Sequence, residues 1–137
     1  MKWVKQSIHY WCPDTKEHKF LGQNVTVAIL DTGISPHPDF KGRILSFRDF
    51  SNTTGSSEKV LFSFSHFSPL IDNSGHGTHV AGILAGSGLL SSGTYAGIAP
   101  FCNLIIGKVL DQNGNGSIKN VINGIQGIRD IYTQFHI

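Results

Sequence analysis

Short apolar runs separated by glycine-rich polar turns set the pattern of this sequence. Val25-Thr26-Val27-Ala28-Ile29-Leu30 is β-branched and almost wholly apolar, as a strand buried on both faces of a parallel sheet reads. It stops at Asp31-Thr32-Gly33, and a Ser35-Pro36-His37-Pro38-Asp39 turn follows. Leu104 to Leu110 repeats the strand pattern and is closed by Asp111-Gln112-Asn113-Gly114-Asn115-Gly116. Residues 43–50 are the candidate for a further strand. From Thr78, the positions Val80, Ala81, Ile83, Leu84 and Ala85 predict a helix that ends at Gly86. Ser117 is the expected N-cap of a second helix, with Ile118, Val121, Ile122, Ile125 and Ile128 at helical spacing. Strands alternating with helices predict an α/β layer architecture. The Ser-rich residues 51–70, with Phe62, Phe64 and Phe67, follow neither period.

The 137 residues suit one domain. Eleven Lys+Arg against nine Asp+Glu leave a net charge of +2, too even a balance to point to nucleic acid or an anionic membrane surface. No run approaches the ~18 apolar residues of a membrane helix, and no apolar region follows the charged start to make a signal peptide. A cytoplasmic location is therefore expected, and with it two free thiols at Cys12 and Cys102. Gly is abundant, at 16 residues, without a collagen period. That abundance among apolar runs predicts tight turns and close backbone approaches.

Three features carry chemistry. Asp31 stands at the carboxyl end of a strand, where open α/β sheets gather ligand and catalytic groups; it could equally do no more than start a turn. Asp72-Asn73-Ser74-Gly75-His76-Gly77-Thr78-His79-Val80-Ala81-Gly82 places a histidine between two glycines just before a helix. A neutral imidazole there could act as a general base near pH 7, with a carboxylate fixing its tautomer. Gly114-Asn115-Gly116 could present backbone groups to an extended peptide, or be an ordinary turn.

Two rival chemistries are readable in the same residues. Asp31-Thr32-Gly33 resembles one loop of an aspartic protease, but Ile34 departs from that pattern and the His76 string stays unexplained. Asp72, His76 and His79 have spacing that could suit a metal on a helix, against which Gly75 and Gly77 argue.

Val27-Ala28-Ile29-Leu30-Asp31-Thr32-Gly33-Ile34 and Gly75-His76-Gly77-Thr78-His79-Val80-Ala81-Gly82 resemble the Asp and His motifs of the subtilases. Tyr95-Ala96-Gly97-Ile98-Ala99-Pro100, Lys108-Val109-Leu110 and Ile122-Asn123-Gly124-Ile125 continue the likeness in the same order, over roughly residues 20–130. The resemblance implies part of the three-layer subtilisin-like fold with a mainly parallel sheet: residues 1–19 as an extension, residues 20–137 as a partial catalytic domain. It implies Asp31 as the orienting carboxylate and His76 as the general base of a serine endopeptidase. It makes His79 structural, gives Gly114, Asn115 and Gly116 the pairing of substrate, and has Leu110 and Ile118 line apolar pockets.

The implied nucleophile belongs to a Gly-Thr-Ser-Met-Ala-like string, and no such string occurs in this sequence. The expected partners are a polypeptide substrate and a separate chain carrying the missing part. The alternative is an inert or peptide-binding module. No metal or other cofactor is expected: Asp39 matches a family calcium ligand, but Gly86 to Gly93 resembles members without the calcium-binding insertion.

Overall fold

The computed structural model describes residues 2–10, 20–51 and 71–137. Cys12 and residues 52–70, nearly all of the Ser-rich stretch, lie outside the described residues. A short helix, α1 (Lys2–Ser7), comes first, and the Tyr10 hydroxyl beyond it donates to the Ile98 carbonyl at 2.7 Å. Three parallel strands then form one sheet: β1 (Thr26–Asp31) and β2 (Ile44–Asp49) flank β3 (Asn103–Lys108). The candidate strand at 43–50 is β2.

Position in the sheet decides how deeply each strand is buried. Leu104, Ile105, Ile106, Gly107 and Lys108 of central β3 are all buried. In β1 only Thr26 and Ile29 are, so burial on both faces, expected of both apolar runs, holds for β3 alone. Alternation along the strands sorts the side chains into two layers. Ile29, Leu104 and Ile106 pack with Ala81 and Ala85 of helix α2 (His76–Ala85), while Ile105 packs with Ile131 and Phe135 of helix α3 (Ile118–Phe135). Cys102 is a free, fully buried thiol.

Both helices differ from their sequence patterns in an informative way. Helix α2 starts two residues before Thr78, at His76 itself, because its first amides find acceptors elsewhere. Gly77 N–H donates to the Thr32 hydroxyl at 2.9 Å and Thr78 N–H to the Asp72 carboxylate at 2.8 Å. Helix α3 is capped by Ser117 as expected, its hydroxyl accepting from Asn120 N–H. Its buried face, however, carries Asn120, Gly124, Gly127, Ile131 and Phe135. Ile118, Ile122 and Ile125 are 80%, 47% and 56% exposed. The glycines win that face because a Cβ at Gly124 would lie 2.7 Å from Val109 Cγ1, and one at Gly127 would lie 2.8 Å from Phe50 Cζ. The helix therefore seats closest where it has no side chains.

Candidate active site

The ends of β1 and the start of α2 meet at one corner of the sheet. Gly33 follows β1 with φ +117°, and a Cβ on Gly77 would sit 2.2 Å from the Gly33 carbonyl oxygen. Backbone thus packs on backbone, which only glycine permits. His76 Nδ1 donates to Asp31 Oδ1 at 2.7 Å. A carboxylate only accepts, so this bond puts the proton of a neutral imidazole on Nδ1 and leaves the lone pair on Nε2. Asp31 is 13% exposed and His76 63% exposed: the carboxylate is sheltered and the imidazole faces solvent. The hydrogen bond and the charge of Asp31 raise the His76 pKa above its ordinary value.

A second carboxylate holds the corner together. Asp72 accepts from the Thr32 hydroxyl at 2.8 Å, from the amides of Ser74, Gly75 and Thr78, and from the Thr78 hydroxyl at 2.5 Å. Burial opposes its charge, but hydrogen bonds from Thr78, Gly75 and Thr32 outweigh that and hold its carboxyl at about 2. The Thr32 amide in turn donates to Asp31 Oδ1 at 2.7 Å. Sequence reasoning gave Asp72 no part beyond a metal candidate and gave Thr32 none. The available signal was an acid four residues ahead of a helix start with Thr at its third position, a capping arrangement.

The remaining candidates lie elsewhere. Leu110 is half-buried, and Gly114, Asn115, Gly116 and Ile118 are exposed. The backbone of Asn115 is paired within the turn: its N–H donates to the Asp111 carboxylate at 2.9 Å and its carbonyl accepts from Asp111 N–H at 2.7 Å. Among the described residues, the Gly114 carbonyl and the Gly116 N–H have no partner; Gly114 is a turn residue with φ +77° whose N–H donates to the Asp111 carbonyl at 3.2 Å. His79 is exposed rather than packed. It lines an open cavity of about 380 Å³ with His37, Phe40, Ile83 and Tyr95. Among the described residues, no three His, Cys, Asp or Glu side chains are grouped to hold a metal ion. Asp39, which matches a family calcium ligand in the sequence, ties the loop after α2 to the turn after β1. Its carboxylate accepts from Gly88 N–H at 3.1 Å and Leu90 N–H at 3.2 Å.

Comparison with known proteins identifies a family for the chain. The family model for peptidase S8, the subtilase family, matches residues 22–134. The serine protease AprX of Bacillus subtilis is 45% identical over 105 residues, covering 77% of this chain and 21% of that protein. The major intracellular serine protease of Bacillus subtilis is 42% identical over 106 residues, 76% of this chain and 30% of that protein. Among solved structures, Sphericase superposes with a TM-score of 0.69 at 30% identity, over 88% of this chain and 36% of that one. The chain spans about a fifth to a third of the length of the curated relatives it matches. Among the described residues, no helix is long and apolar enough to cross a membrane.

Proposed function

This chain belongs to the subtilase family, and from that premise we propose that it supplies the Asp–His half of a serine endopeptidase site. The observation that carries the reading is the 2.7 Å bond between His76 Nδ1 and Asp31 Oδ1, with the imidazole open to solvent. In this reading His76 Nε2 takes the proton of an attacking serine hydroxyl and returns it to the leaving amine. Asp31 keeps the tautomer and stabilises the imidazolium. The raised His76 pKa supports it, because a charged imidazole beside Asp31 is the state formed as the serine attacks.

The unpartnered Gly114 carbonyl and Gly116 N–H support substrate pairing, with an extended polypeptide donating to the first and accepting from the second. Leu110 and Ile118 would flank its side chains. No calcium enters the proposal. An intracellular setting is proposed on the names of relatives alone.

With no Gly-Thr-Ser-Met-Ala-like string in its sequence, the chain by itself has no nucleophile in this reading. A fluorophosphonate probe should leave the purified chain unlabelled. Supplied with the nucleophile segment of a subtilase, in cis or as a separate chain, it should turn over peptides. Asp31→Asn and His76→Ala should then each lower turnover by roughly 10⁴ or more, the scale known for such triads, subtilisin included. Labelling of a serine in the chain alone, abolished by His76→Ala, would overturn the reading. Activity that survives His76→Ala would do the same.

A further inference from the structure

Lys108 is a charged side chain at the end of the most buried strand, only 6% exposed. It lies beside Asp31 in the parallel register, on the same face as Leu104 and Ile106 by the alternation of β3. Yet it makes no ion pair with Asp31. Its Nζ donates instead to two backbone carbonyls, Thr32 at 2.7 Å and Leu110 at 2.8 Å. Burying an ammonium is costly, and an apolar side chain would fill the space without that cost. What an apolar residue could not do is satisfy two carbonyls that lie past the last ladder bond.

The two carbonyls belong to opposite halves of the proposed site. Thr32 is the residue whose amide donates to Asp31 Oδ1 and whose hydroxyl accepts from Gly77 at the start of α2. Leu110 opens the segment that runs to Gly114 and Gly116. The Asp31 carbonyl itself accepts from Val109 N–H at 2.9 Å and Leu110 N–H at 3.2 Å. We propose that Lys108 is a positioning residue, bolting the Asp31–His76 pair to the peptide-pairing edge through the carbonyls of Thr32 and Leu110. The inference rests on the dyad reading given above. It acts through Thr32: if that peptide shifts, the carboxylate loses one of the two donors that orient it.

The test is the titration of His76 in the intact 137-residue chain, followed through its imidazole NMR signal. Two carboxylates bear on that ring, Asp31 from β1 and Asp72 from the loop before α2. The wild-type midpoint should stand above the ordinary value of about 6.5, and Asp31→Asn should lower it. Lys108→Met, which keeps length but removes the donor, should shift it the same way by about half a unit or more. The signal of His136, on the far end of α3, should not move. A folded Lys108→Met chain with an unshifted His76 midpoint overturns the inference and leaves the dyad standing. A wild-type midpoint that ignores Asp31→Asn removes the dyad itself, and the inference with it. If Lys108→Met does not fold, the wild-type chain decides. The Lys108 ammonium nitrogen should titrate with the His76 midpoint while that of exposed Lys119 stays flat, and a flat Lys108 signal overturns the proposal.

Discussion

The two faces of the sheet are covered by helices that touch it in opposite ways. On the α2 face the helix start rests backbone on backbone, Gly77 against Gly33, and among the described residues Ala81 and Ala85 of the helix share a buried cluster with six further apolar residues. On the α3 face, Gly124 and Gly127 rest on the tips of Val109, Leu30 and Phe50, and the buried cluster among the described residues is Ile105, Ile131 and Phe135. Backbone cannot yield to an added atom, whereas a side-chain tip can turn aside. The proposed catalytic pair sits on the unyielding face, where an error of 1 Å would separate Asp31 from His76. Rigidity is concentrated where the geometry must hold.

The sharpest way to break this contrast is to add one methyl group to each helix. Gly77→Ala should cost about 4 kcal/mol or prevent folding, because neither Gly33 nor the strand end can retreat. Gly124→Ala should cost only about 1 kcal/mol, since Val109 and Leu30 can adjust and alanine favours the helix. Gly82, in the same helix as Gly77 but with open space around its Cβ position, should gain up to about 1 kcal/mol as Ala. Chemical denaturation of the three variants reads all of this. Equal losses at Gly77 and Gly124 would erase the difference between the faces.

A smaller effect belongs to the carboxylate that clamps the α2 corner. Asp72→Asn keeps the shape and one acceptor oxygen but turns the other into an NH2 donor, so either the Thr78 amide and hydroxyl or the Thr32 hydroxyl with the Ser74 and Gly75 amides lose their acceptor, which should cost about 1–3 kcal/mol near neutral pH. The pH dependence has a definite sign. The folded carboxyl titrates at about 2, below its ordinary 3.8, so its stabilisation is complete above pH 4. It fades as pH falls from about 4 toward about 2. His76 runs the other way: its folded value is raised, so its contribution is present below about 6.5 and is lost as pH rises through the folded value. Stability of Asp72→Asn should therefore be flatter in acid than that of the wild type, measured by urea unfolding at pH 2.5 and pH 5.

How far the sequence could be read follows the same division. The three strands and the contact of Asp31 with His76 were within reach, because each is written in a short local string of apolar residues or glycines. The lining of α3 was not. Isoleucines at helical spacing imply a core-facing stripe, but Gly124 and Gly127 recur on another face, and only the positions of Leu30, Val109 and Phe50 decide between them. Asp72, Thr32 and Lys108 were missed because their roles are hydrogen bonds between segments remote in sequence. A lysine inside an otherwise apolar run was the visible hint at position 108. The deep burial expected of β1 failed for a related reason, since burial depends on a neighbour strand rather than on the strand's own composition.

The smallest stability effect should come from the stripe that the pattern put in the core. Ile118, Ile122, Ile125 and Tyr132 recur at intervals of four, three and seven residues, so they share one side of α3. All four are exposed, Tyr132 by 52%. Replacing Ile122 and Ile125 together by Ser removes side chains that are 47% and 56% exposed and lie outside the buried clusters, so the folding free energy should change by less than about 1 kcal/mol. The same change should act strongly on the surface. Each exposed isoleucine leaves apolar area in water at about 25 cal/mol per Å², and a contiguous apolar stripe favours self-association and dye binding. The wild-type chain should therefore bind a hydrophobic dye while folded and sediment above monomer mass, and the double variant should do neither. Stability lost in proportion to the two side chains, by several kcal/mol, would mean that this face is buried after all and that the two faces of the sheet are packed alike.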